Sequence, residues 1–171
     1  EDKLSLSKQK FDVAMKLYGE DKIKLLDEVI ELNPNYALAY NNRGNAYQGL
    51  KQYERAIQDY DKAIELNPNY AEAYYNRGWV YYDKLQQYKR AIQDFSKAIE
   101  LNPNFDKAYY RRGWVYANWL QQYKRGIQDF SKAIQLNPND AYYYNARGHF
   151  YRNQGYFEKA QADFNKADAL G

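Results

Sequence analysis

Apolar residues recur along this chain at intervals of three and four, the spacing of one helix face. Ile23, Leu26, Val29 and Ile30 set the pattern, and Ile57, Tyr60, Ala63 and Ile64 repeat it one period later. This predicts a helix over Asp21 to Leu32, with polar residues on its opposite side. The same amphipathic phrase then returns nearly unchanged. Ala56 to Asn69 read A-I-Q-D-Y-D-K-A-I-E-L-N-P-N, Ala91 to Asn104 read A-I-Q-D-F-S-K-A-I-E-L-N-P-N, and Gly126 to Asn139 read G-I-Q-D-F-S-K-A-I-Q-L-N-P-N. A worn copy ends at Leu32-Asn33-Pro34-Asn35. All four prolines, Pro34, Pro68, Pro103 and Pro138, fall in the phrase, spaced 34, 35 and 35 residues apart. A period of that length marks an all-α array of helical hairpins in which each unit touches only its neighbours.

Between these phrases lie aromatic-rich stretches, each with a glycine at one phase: Gly44, Gly78, Gly113 and Gly148. A glycine inside a helix costs about 1 kcal/mol against alanine, so four at one phase need a packing reason. Close approach to Ala56, Ala91, Gly126 and Ala160 on the second helix supplies it. Asn-Pro stops the second helix, with the asparagine expected to take a left-handed turn, and the asparagine after it is expected to cap the next helix, most clearly in Asn69-Tyr-Ala-Glu72. The first unit is degenerate. Leu4, Leu6, Phe11, Ala14 and Leu17 predict its first helix from about Ser5 to Tyr18, without the glycine. In the last unit the outward isoleucines of Ile57, Ile92 and Ile127, with Ile64, Ile99 and Ile134, become Gln161 and Asp168, a polar outer face suited to a terminal repeat.

An aromatic four residues before each glycine, a tyrosine three after it, a small residue about twelve after it and the closing proline resemble the tetratricopeptide repeat. The likeness covers residues 37–171 closely and 1–36 loosely. It implies a right-handed α-solenoid of antiparallel hairpins, with a degenerate repeat or cap at 1–36 and repeats at 37–70, 71–105, 106–140 and 141–171. The middle two carry one extra residue, expected in the turn between their helices, where Asp83-Lys84 and Asn118-Trp119 replace Gly49. A repeat of 35 residues also suggests the pentatricopeptide family, which reads single-stranded RNA, but the Asn-Pro ending fits the tetratricopeptide pattern better.

One departure from the family pattern is consistent. Arg43, Arg77, Arg112 and Arg147 precede the glycines, and Asp59, Asp94, Asp129 and Asp163 follow the small residues. An antiparallel hairpin that registers glycine against alanine brings the two together, which predicts one Arg-Asp bridge in each of these repeats. Gln9 and Leu25 stand at the corresponding places of the first unit.

By the resemblance, the first helices line a concave groove that holds a partner segment. The groove positions fall on Asn41 and Asn45 in the second repeat and on Tyr75, Asn76, Trp79 and Tyr82 in the third. In the fourth they are Lys107, Tyr110, Arg111 and Trp114, and in the last Asn145, His149 and Arg152, beside Tyr142. Trp79 and Trp114 occupy equivalent places and are expected to form a shared platform. Some members of the family grip the C-terminal carboxylate of heat-shock chaperones with Lys and Asn, then Asn, then Lys and Arg on successive units. Carried over, that clamp becomes Asn41, Asn45, Asn76, Lys107 and Arg111, with Asn41 in place of a lysine.

Composition narrows the chemistry. The chain has 25 basic and 22 acidic residues, a balance that names neither nucleic acid nor membrane as partner. Cysteine is absent and His149 is the single histidine, which removes thiol metal sites and most histidine-dependent catalysis and leaves the compartment open. No nucleophile-base pair or phosphate loop appears, so the expectation is a non-enzymatic, cofactor-free, monomeric scaffold for a protein or peptide. The alternatives are a co-chaperone-like module for an acidic C-terminus and an architectural, self-assembling repeat.

Overall fold

The computed structural model describes residues 2–171. The chain divides into two compact units, one ending at Leu85 and the other beginning at Gln86. The first holds α1 (Lys3–Ala14), α2 (Gly19–Leu32), α3 (Ala37–Gly49), α4 (Tyr53–Leu66) and α5 (Ala71–Asp83). The second holds α6 (Tyr88–Leu101), α7 (Asp106–Trp114), α8 (Tyr123–Leu136), α9 (Ala141–Asn153) and α10 (Phe157–Leu170). Among the described residues there is no strand, and no helix is long and apolar enough to cross a membrane. The division runs between the two helices of the third repeat.

Packing inside each unit follows the expected register. A Cβ at Gly44 would lie 3.2 Å from the carbonyl oxygen of Ala56, one at Gly113 3.1 Å from that of Gly126, and one at Gly148 3.2 Å from that of Ala160. Aromatic rings crowd these sites more closely still, with Tyr60, Phe130 and Phe164 at 2.7–2.9 Å from the same three positions. Ile57 and Ile127 pack on the hairpin that follows, in clusters around Val80 and Phe150, while Gln161 and Asp168 are exposed.

Three local expectations are corrected. The first helix starts at Lys3, capped by the Asp2 carboxylate, and ends at Ala14 instead of running from Ser5 to Tyr18. Gly19, in the left-handed region at φ 55°, turns the chain into α2. Second, the asparagines after the prolines do not cap helices: Tyr36, Tyr70 and Phe105 are the N-caps, without side-chain bonds. Instead Asn33, Asn67 and Asn102, ahead of proline, have φ of −135° to −140° and accept from the amides of Asn35, Asn69 and Asn104. Proline forces the residue before it out of helical geometry, and its short side chain then closes an Asx turn. Third, the extra residue of the fourth repeat lies in the helix and not in the turn. Val115–Trp119 form a π-helical turn continuing α7, so the wider loop of backbone absorbs the insertion.

The arginine-aspartate bridges form where both partners lie in one unit. Arg43, Arg112 and Arg147 each donate Nε and Nη2 to the two carboxylate oxygens of Asp59, Asp129 and Asp163, at 2.7–2.8 Å. Tyrosine rings flank the guanidinium groups, such as Tyr109 and Tyr116 beside Arg112. Burial is the largest influence on Arg112 and opposes its charge, but its hydrogen bonds to Asp129 and the charge of that carboxylate, with smaller help from Tyr116 and Tyr109, together outweigh it and leave the pKa above the ordinary value. Arg77 and Asp94 belong to different units, and their bridge stays an expectation.

The remaining nitrogen, Nη1, reaches back to the preceding repeat. It donates to Asp27 from Arg43 and to Asp61 from Arg77 at 2.7 Å, and to Ser96 from Arg112 and Ser131 from Arg147 at 3.0 Å. Arg43, Arg112 and Arg147 therefore each close their own hairpin and tie it to the one before, and Arg77 makes the same backward tie. A carboxylate acceptor is stronger than a hydroxyl here because the bond becomes charge-assisted. Ser131→Asp is expected to stabilise the second unit by about 1 kcal/mol, seen as a higher urea midpoint. A lower midpoint would mean that repulsion from Asp163 outweighs attraction to Arg147.

Candidate functional site

In the first unit the first helices α3 and α5 meet through polar side chains. Asn76 Nδ2 donates to Asn41 Oδ1 at 3.0 Å, and Asn41 is buried. Asn41 also hydrogen-bonds the Tyr70 phenol, whose pKa burial, reinforced by Glu72, pushes up to about 12. The buried Tyr60 hydroxyl reaches Asn45 Oδ1 and Gln48 Oε1, each at 2.8 Å. Trp79 packs partly into the cluster of Ala56, Tyr60 and Val80, with Lys84 Nζ 5.0 Å above its ring. Tyr75 and Tyr82 are half-buried on α5.

The second unit is built differently. Tyr110 and Trp114 of α7 form an aromatic floor with α8 and α9. The Tyr110 ring lies 4.9 Å from Tyr143 and 5.9 Å from Phe130, and Trp114 lies 5.3 Å from Phe150, nearly perpendicular to it. Rings locked in this way cannot turn out to meet a ligand without breaking several contacts. Asp106 anchors the same junction, accepting from the Tyr143 hydroxyl at 2.7 Å and from Asn137 Nδ2 at 3.3 Å. Above the floor stand the polar residues. Lys107, Asn145, His149 and Arg152 are exposed, Arg111 is half-buried against the Tyr110 ring, and Tyr142 is 73% exposed. His149 lies edge-on to Phe150, its Nε2 3.2 Å from Asn153 Nδ2.

The structure thus brings Asn41, Asn45 and Asn76 together in one unit, and Lys107, Tyr110, Arg111, Trp114, Asn145, His149 and Arg152 in the other. Trp79 and Trp114 fall on separate units, each built into its own unit's cluster. Sequence reasoning missed the Asp106–Tyr143–Asn137 network, because a contact across 37 residues leaves no local spacing to read. It also missed Trp119, 47% exposed and stacked on Tyr88 at 4.8 Å on the turn edge. Among the described residues no cluster of histidine and acidic side chains could hold a metal ion.

Two family profiles, both described as Tetratricopeptide repeat, match residues 37–70 and 71–105, and residues 95–128 and 130–162. The chain belongs to the tetratricopeptide repeat family. Solved structures agree with this assignment. A MamA double mutant from strain RS-1 is 26% identical, with a TM-score of 0.86 over 99% of this chain and 95% of that one. MamA from residue 41 onward, of Desulfovibrio magneticus RS-1, is 27% identical with a TM-score of 0.85, covering 99% and 96%. YrrB, a tetratricopeptide protein described as having an unusual peptide-binding site, is 27% identical with a TM-score of 0.71 over 88% and 77%. A sequence search finds no curated protein that matches. In this tetratricopeptide array the second helices carry the near-identical phrase, and the first helices carry the variation.

Proposed function

We propose that the chain is a non-enzymatic interaction scaffold that binds a partner peptide across the exposed faces of its first helices. The family consists typically of such interaction modules, and YrrB is described as having a peptide-binding site. The observation that carries the reading is the face of α7 and α9, where Lys107, Asn145, His149 and Arg152 stand exposed over a floor fixed by Tyr110–Tyr143 and Trp114–Phe150. A rigid floor with free polar groups above it lowers the ordering cost of binding. The terminal-carboxylate clamp has weaker support, since Asn41, Asn45 and Asn76 already serve Asn76, Tyr60 and Asn41.

Selection of a random twelve-residue peptide display library on the whole chain tests this reading. Enriched peptides should lose at least about tenfold in affinity when Asn145 and Arg152 are both replaced by alanine. No enrichment, or enriched peptides indifferent to that pair, would sink it.

A further inference from the structure

We infer that the first-helix face of the second unit recognises an internal acidic segment, bound extended, with carboxylates on alternate residues. This rests on the peptide-binding reading above and adds the chemistry of the ligand.

The first support is the distribution of charge. Lys107, Arg111 and Arg152 occupy groove positions of the second unit, whereas Leu38, Asn42, Asn45 and Gln48 of α3 and Tyr75, Asn76 and Trp79 of α5 bring no cation. None of the three cations forms an ion pair among the described residues. Arg112 and Arg147, close in sequence, are consumed by Asp129 and Asp163. The carboxylates on these two first helices are also engaged: Asp106 by Tyr143 and Asn137, and Asp140 by the amide of Tyr142. The face therefore carries three cations that no carboxylate among the described residues pairs with directly, and a partner with carboxylates complements them.

Spacing supplies the second support. Lys107 and Arg111 are four residues apart on one helix face, roughly 6 Å along the axis. An extended peptide presents alternate side chains on one side at roughly 6.6 Å. One carboxylate for each cation then fits a segment with acids at every second residue. Across the aromatic floor on α9, the exposed Asn145 amide offers a donor and an acceptor to the backbone of such a strand, which has no sheet partner of its own.

An internal segment is favoured over a chain terminus because Asn41, Asn45 and Asn76, the amides placed to hold a terminal carboxylate, are already hydrogen-bonded. A peptide is favoured over nucleic acid because Tyr110 and Trp114 are locked edge-on or tilted into the floor, leaving Tyr142 and the smaller His149 imidazole as the exposed rings of this face on which a base could stack.

Fluorescence anisotropy on the full chain decides the matter. The probe is a labelled, C-terminally amidated twelve-residue peptide with glutamate at every second position across its centre. Controls are its glutamine analogue, an isomer with the same glutamates in one block, and a single-stranded oligonucleotide. The alternating peptide should bind at least about tenfold more tightly than the glutamine analogue and several-fold more tightly than the block isomer. Arg111→Glu should remove that advantage while leaving the far-ultraviolet circular dichroism and the urea midpoint unchanged. Equal binding of acidic and neutral peptides overturns the inference while leaving a peptide scaffold standing. Equal binding of the two acidic isomers overturns the alternating register, and tighter binding of the oligonucleotide overturns the choice of partner. If neither these peptides nor any display-selected one binds, the scaffold reading itself falls.

Discussion

Replacing Asp129 by alanine is expected to cost about 3–5 kcal/mol of stability, more than most truncations of a single polar side chain. The reason is what the substitution strands. Arg112 would keep its charge, with rings of Tyr109 and Tyr116 each 5.7 Å from the guanidinium carbon and the Ser96 hydroxyl as its remaining hydrogen-bond acceptor. Both side chains are largely shielded, at 19% exposure for Arg112 and 9% for Asp129, so water cannot replace the lost carboxylate. Removing both charges together should cost far less, because an apolar pair of similar volume avoids the desolvation that the ion pair itself carries. Urea unfolding of Asp129→Ala, and of Arg112→Met with Asp129→Leu, makes the comparison. A single substitution costing less than about 1 kcal/mol would place this bridge with exposed surface pairs.

Gly126→Ala should destabilise the chain even though Ala56, Ala91 and Ala160 fill the same place in other repeats. An alanine Cβ there would meet the Ala117 Cβ at 2.5 Å and the Gly113 carbonyl oxygen at 2.9 Å. Ala117 lies in the π-helical turn Val115–Trp119, whereas the first helix of the third repeat, with the same insertion, stays α-helical to Asp83. The obstacles include backbone atoms, which cannot swing aside as a side chain can. Overpacking of this kind costs about 1–3 kcal/mol and outweighs the roughly 1 kcal/mol that alanine gains over glycine in a helix. Deleting Asn118 removes the extra residue, and in that background Gly126→Ala is expected to be neutral or stabilising. If the substitution stabilised the intact chain, the π turn would not be the reason for the glycine.

Much of the scaffold is legible before any coordinates. The Asn-Pro stops, the glycines and the aspartate of the repeated phrase each recur at one phase, so their packing could be read as a register between two helices. Arg43, Arg112 and Arg147 met their aspartates for that reason. The second role of those arginines was not legible. With Arg77 included, the acceptors change along the chain from aspartate to serine, as Asp27, Asp61, Ser96 and Ser131, and a position that changes residue type gives no repeat signal. The asparagine turns were not legible because a side chain that closes on an amide two residues ahead competes with capping at nearly the same place.

The candidate site divides along the same line. Periodicity places Asn41, Asn76, Lys107, Arg111, Trp114 and Arg152 on first-helix faces, since one side of a helix follows from spacing alone. Which of them remain free is a matter of what packs against them. Asn41 turns inward to Asn76 and Tyr70, and Trp114 lies against Phe130 and Phe150. Lys107, Asn145 and Arg152 stay exposed.

By itself, then, the sequence determined the helices, their hairpin pairing and the family, because these depend on residues a few positions apart repeated at a fixed period. The tertiary structure alone decided the π turn opposite Gly126, the arginine ties between repeats and the free charges above the aromatic floor. Those depend on which side chains from distant positions reach one another first, and on which cations are left without a carboxylate when they have done so.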